Sequence, residues 1–170
     1  MSFVERFDPM MLEAAAQELD LRYYVNGNRS VLALLVGDDI GTPIWIHLSA
    51  EGLDRTMFVV RVYGGHYFEQ ADWPRVVELL NQWHCHRPFP RVTLAHLSDS
   101  QFAEVQCDGH LYTLWGVHQA LVTDFARQVL WGSLDFWKWM MGQLPQLDRA
   151  CGELDGVEQL SMKLEGHGEA

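Results

Sequence analysis

Trp73-Pro74-Arg75-Val76-Val77-Glu78-Leu79-Leu80-Asn81-Gln82-Trp83-His84-Cys85-His86-Arg87-Pro88-Phe89-Pro90-Arg91-Val92-Thr93-Leu94-Ala95-His96-Leu97 is the stretch whose reading decides the fold. Trp73, Val76, Val77, Leu80 and Trp83 recur at the spacing of one helical face, and Asp72 with Pro74 supplies a start signal. Pro88 and Pro90 each disfavour helix in the residue before them, so the helix must stop near Arg87. Val92 to Leu97 then returns to strand chemistry. An apolar stripe of this kind has to cover a sheet face, which makes the fold α+β.

Upstream, Asp8-Pro9 offers a cap and a first-turn proline, and Leu12, Ala15, Ala16 and Leu19 follow at helical spacing. Tyr23 and Val25, the Asn26-Gly27-Asn28 turn signal and the apolar run from Val31 to Val36 indicate strands, ending at Gly37-Asp38-Asp39. Ile44, Ile46 and Leu48 alternate with Trp45, His47 and Ser49, as Phe58, Val60 and Val62 do with Val59, Arg61 and Tyr63. The short link between these runs favours an antiparallel meander, with Gly64-Gly65 expected to end it.

Downstream, Phe102 to Cys107 reads as a strand; Asp108-Gly109 is either a hairpin turn before Leu111 to Trp115 or part of one longer strand with an irregular exit. Leu121, Phe125, Val129, Leu134, Trp137 and Met141 support a long last helix, with Gly132 as a candidate bend and Pro145 as its end. The expectation is an antiparallel sheet, meander plus C-terminal strands, packed by an N-terminal, a central and a long C-terminal helix. A single domain over 1–148 would be followed by a mobile acidic tail, 149–170, rich in Gly, Glu and Asp.

The 170 residues are 48% hydrophobic and 21% charged, enough for a packed core without a metal or disulfide staple. Twenty-three acidic against 12 basic residues give a formal charge of −11, and the arginines are spread rather than clustered. A chain of that charge repels phosphate, which argues against nucleic acid and anionic lipid as partners. Cys85, Cys107 and Cys151 form an odd set without close pairs. No apolar run approaches the roughly 18 residues of a membrane span, nor does the N-terminus read as a leader, so a cytoplasmic location is expected.

The one cluster with chemical promise is His84-Cys85-His86, with His96, Cys107 and His110 downstream, since imidazole and thiolate suit zinc. Successive helical residues diverge by about 100°, so the three cannot share a metal unless the helix unwinds. A thiol nucleophile at Cys85 beside a histidine base is the other reading of the cluster. No nucleophile elbow, dinucleotide or phosphate loop, or His-Glu-x-x-His motif occurs, and Asp38-Asp39 reads as a turn. No catalytic residue, metal ligand or cofactor is therefore assigned. Trp131, Phe136, Trp137 and Trp139 form an aromatic group in which 137 and 139 leave opposite helix faces, which assigns the group to partner binding or a dimer contact.

Val76-Val77-Glu78-Leu79-Leu80-Asn81-Gln82-Trp83-His84, followed by Arg87-Pro88-Phe89-Pro90-Arg91-Val92, resembles the YbjN family of proposed bacterial sensory transduction regulators. Asn81, Trp83, Pro88 and Pro90 carry the likeness, while His84 stands where the family has a second Asn. Leu19-Asp20-Leu21-Arg22-Tyr23, Phe125-Ala126-Arg127-Gln128-Val129 and Asp135-Phe136-Trp137 extend it over about Pro9 to Met141, with His118 in place of a capping Thr. The resemblance implies a fold similar to type III secretion chaperones and a non-enzymatic role: a chaperone-like or regulatory protein that dimerises and holds a protein partner on exposed apolar surface. The rival expectation is a small metal- or thiol-dependent enzyme built on His84, Cys85 and His86.

Overall fold

Asp8 starts the first helix by accepting the Met10 N–H at 2.8 Å, and Pro9 needs no donor there. The structure is a computed structural model that describes residues 4–35, 43–96 and 101–143. Helix α1 (Met10–Glu18) buries Met11, Leu12, Ala15 and Ala16, the face given by the apolar spacing. Strands β1 (Tyr23–Val25) and β2 (Val31–Leu35) are joined by a turn in which Asn26 Oδ1 accepts the N–H groups of Asn28 and Ser30. They continue into β3 (Ile44–Glu51) and β4 (Met57–Glu69). Helix α2 (Trp73–His86), β5 (Arg91–His96), β6 (Phe102–Tyr112) and α3 (Gln119–Gln143) complete the order.

The six strands form one antiparallel sheet in the order β1-β2-β3-β4-β6-β5, a meander through β4 with β6 inserted between β4 and β5. The chain is thus α+β, as the alternation and the helical spacing require. Ile46, Val62, Cys107 and Val92 stand in one cross-strand row on the inner face, and α1, α2 and α3 cover that face with Leu12, Leu80, Val129, Phe136 and Trp137.

Three local expectations are corrected, and one open alternative is decided. Gly64-Gly65 does not end β4: the strand runs on to Glu69 through a bulge between Tyr63 and Tyr67, with Gly65 at φ 66°. Of the two readings of Asp108-Gly109, the longer strand is the one found: the dipeptide lies within β6, where Gly109 pairs with Val60. A side chain at Gly109 would put its Cβ 2.5 Å from Val129 Cγ2, so the glycine admits α3 to the sheet. Gly132 does not interrupt α3, which is continuous; its missing side chain makes room for Pro90, whose Cδ would lie 2.5 Å from a Cβ there. Asp72 makes no side-chain cap, because a short 3₁₀ turn, Gln70–Asp72, precedes α2 and holds it in helical geometry. Asp38-Asp39, Leu97, Pro145, Cys151 and the 149–170 tail lie outside the described residues.

Candidate functional site

His84, Cys85 and His86 occupy the last turn of α2 and do not converge. The His84 Nε2 lies 3.0 Å from the Val92 carbonyl oxygen and 3.2 Å from the Val92 nitrogen, donating to the first in one tautomer or accepting from the second in the other. It therefore caps the outer backbone of β5, an edge strand that would otherwise offer free pairing groups. Cys85 and His86 point to solvent. Cys107 is buried in β6, and burial pushes its thiol far up, against the lowering effect of a hydrogen bond from Ser133. His96 packs edge-on against Trp73, with ring centroids 5.2 Å apart. Among the described residues no group of three His, Cys, Asp or Glu side chains could hold a metal ion. The zinc and thiol-enzyme readings thus gain no geometry.

Of the residues that carry the family likeness, Trp83 and Pro90 are core: Trp83 meets Phe136 edge-on with ring centroids 5.3 Å apart and lies tilted against Trp139 at 5.5 Å, and Pro90 fills the space over Gly132. Asn81 and Pro88 are exposed. The aromatic group of α3 divides in the same way. Phe136 and Trp137 are fully buried, so within one chain they are packing residues with no surface to offer a partner. Trp139 is half-buried. The opposite-face argument fails because α3 has two covers, the sheet under Trp137 and the Trp83 end of α2 beside Trp139. Trp131 alone, 62% exposed, turns its indole outward.

A larger apolar surface lies at the end of the sheet where β3 turns into β4 and β6 leaves for α3. Leu53, Tyr112, Leu114 and Trp115 are all exposed there, Trp115 to 90%. Thr113 donates its N–H to the Thr56 carbonyl at 2.8 Å, joining the two loops. Glu5 and Val117 exchange N–H···O bonds of 3.1 and 2.8 Å, which ties the N-terminal segment alongside. Gly116, at φ 89°, lies so close to Glu5 that a Cβ would come within 2.8 Å of its carbonyl oxygen. The Asp54 and Arg55 backbones are both left-handed, at φ 55°, a conformation that costs non-glycine residues energy. A groove of about 410 Å³ runs between Val4, Asp54, Leu114 and Trp115. In the sequence this rim is masked by the strand chemistry of Leu111 to Trp115; its one signal is two large apolar residues, Leu114 and Trp115, followed by Gly116.

The outer face of the sheet, opposite the helices, mixes buried apolar side chains such as Trp45 and Val59 with polar and charged ones. Register places Leu32, His47, Arg61, Asp108 and Arg91 in one row across five strands. Arg91 makes a two-pronged contact with Asp108, Nε to Oδ1 at 2.8 Å and Nη2 to Oδ2 at 2.6 Å, and Gln106 adds a donor at 3.2 Å. The Asp108 side chain is 1% exposed, that of Arg91 62%. Arg61 reaches diagonally to Glu51, bonding both carboxylate oxygens, and Ser49 donates to the same group at 2.6 Å. Partial burial pushes the Glu51 carboxyl up, but the hydrogen bonds from Arg61 and Ser49 and the Arg61 charge outweigh it and hold the group down at about 2. Burial raises the Tyr63 hydroxyl well above its usual range. These side chains alternate with the apolar positions of β3, β4 and β6, so their common face was readable from the period of two; their pairing was not.

No family model matches the chain, nor does any curated protein. Its three-dimensional arrangement is similar to the crystal structure of YbjN from E. coli, a proposed transcription regulator, with a TM-score of 0.65 at 8% identity. The match covers 83% of this chain and 96% of that chain. The chain has the YbjN fold. At this identity the likeness concerns backbone arrangement and transfers no residue's role. Among the described residues no helix is long and apolar enough to cross a membrane.

Proposed function

We propose that the protein is a non-enzymatic binding module of the cytoplasm, regulatory or chaperone-like, that holds a segment of a protein partner against the rim formed by Leu53, Tyr112, Leu114 and Trp115. The observation that carries this reading is Trp115, an indole 90% exposed beside a groove on a backbone held by Gly116 and the Glu5–Val117 bridge. Exposed apolar surface of this kind, with aromatic anchors, marks interaction sites. A charge of −11 favours protein over nucleic acid as the partner. The protein acts as a homodimer, with Trp131 of α3 as the contact from the aromatic group that remains accessible.

The experiment compares wild type with Trp115→Glu in pull-downs from the host lysate. A partner retained by wild type and lost by the variant, with both equally resistant to heat, supports the reading; identical recovery from both overturns it. Light scattering on wild type and Trp131→Glu tests the dimer, which the substitution should halve in mass.

A further inference from the structure

Helix α3 sends Val122, Val129, Phe136 and Met140 into the core and leaves another stripe outside. Asp124, Arg127, Trp131, Asp135 and Lys138 follow one another at steps of three and four residues, the spacing of one helical face. The indole of Trp131 stands at its centre. The side chains of Asp124 and Asp135 are 59% and 62% exposed, and Lys138 is exposed as well. Two acids and two bases make the stripe neutral, in a chain whose formal charge is −11. Read from the N-terminus, the order is acid, base, Trp, acid, base. Turned end for end, that order is its own complement.

We propose that this stripe is the docking face for α3 of a second copy, laid antiparallel with the two Trp131 indoles on the two-fold axis. The proposal rests on the homodimer reading above and adds its geometry. A two-fold axis through residue 131 sets each position opposite the one equally far beyond it on the other helix. Arg127 then faces Asp135 of the second copy, four residues to either side of the axis, and Asp124 faces Lys138, seven to either side. A parallel pairing in the same register would set like charge against like. The charge of the whole chain opposes self-association, so a neutral stripe around an aromatic anchor is a face on which a second copy can approach. Existing partners leave these contacts available. Arg127 bonds Asp124 and Arg87 stands 3.9 Å from Asp135 within the chain, but both are exposed pairs of the kind that contribute little in water, and each carboxylate accepts further donors. Among the described residues Lys138 has no ion-pair partner. The α2–β5 turn, with Pro90 over Gly132, flanks the stripe and does not cover Trp131.

Charge reversal across the axis is the test, read by sedimentation equilibrium of the full chain. Arg127→Glu and Asp135→Arg should each weaken the dimer about tenfold, because each sets two like-charged contacts across the interface. The two together should bring it back to near wild-type strength. Positions 127 and 135 lie about 12 Å apart on one helix, so they cannot meet within a chain, and recovery has to come from the second copy. Asp124→Lys and Lys138→Asp form a second cycle with the same expectation, which serves if a member of the first lowers the helix content. A wild-type dimer that Trp131→Glu dissociates, but in which neither double reversal improves on its single variants, overturns the antiparallel arrangement and leaves the homodimer reading standing. A monomeric wild type, or a dimer indifferent to Trp131→Glu, overturns both.

Discussion

The indole of Trp137 occupies the space a side chain at Gly64 would need, with Cη2 2.5 Å from the position of a Cβ. The contact sits at the bulge of β4 and seats the C-terminal half of α3 on the sheet. Gly64→Ala must displace a fully buried ring, and overpacking of this kind costs about 1–3 kcal/mol. Urea unfolding should show that loss with an unchanged slope. A midpoint equal to wild type would mean that the helix shifts freely.

Acid stability should report the Glu51–Arg61 pair. The Glu51 carboxyl is held at about 2 in the fold, below its ordinary value of 4.5. A depressed carboxyl contributes stability that is complete above its unfolded value and lost as pH falls through the folded one. The contribution is therefore full above about pH 4.5 and drains between there and about pH 2. Melting curves of wild type and Glu51→Gln should converge across that window as pH is lowered. Parallel curves would refute the assignment.

The Arg91–Asp108 pair should be asymmetric. Removing Arg91 leaves a carboxylate that is 1% exposed without its counter-charge, a change that costs about 3–5 kcal/mol for buried pairs. Removing the charge of Asp108 leaves an arginine already facing water. Arg91→Met should thus destabilise more than Asp108→Asn in chemical denaturation, and the reverse order would show that Arg91, not Asp108, is the dependent partner.

Neighbouring positions on α2 should separate structure from surface. His84→Ala withdraws the cap from Val92 and should cost about 1–2 kcal/mol, whereas exposed Cys85→Ser should stay within about 0.5 kcal/mol of wild type. Thermal melts of the two variants decide it. A destabilised Cys85→Ser would return the thiol to consideration as a functional group.

Periodicity carried the fold well because the signals were local. The stripe from Trp73 to Trp83 and the alternation in β3 and β4 each need only a few neighbours to be read. Where reading failed, the cause was contact between residues far apart in sequence. Gly64 and Gly109 look like strand ends until Trp137 and Val129 are known to lie on them, and Gly132 looks like a bend until Pro90 is seen beside it. The site followed the same rule. His84-Cys85-His86 drew notice as a string of reactive letters, but its first member serves the edge of β5. The rim around Trp115 had no lettering of its own, because its parts come from the N-terminus, the β3–β4 turn and the exit of β6.

Val129 over Gly109 and Trp137 over Gly64 seat α3 in two sockets, eight residues and about 12 Å apart along its axis. One socket would let a rod pivot; two forbid both rotation and sliding. One helix thus ties the two neighbouring central strands together through a notch in each, Gly64 in β4 and Gly109 in β6, so the pairing of those strands and the seating of α3 depend on the same two positions.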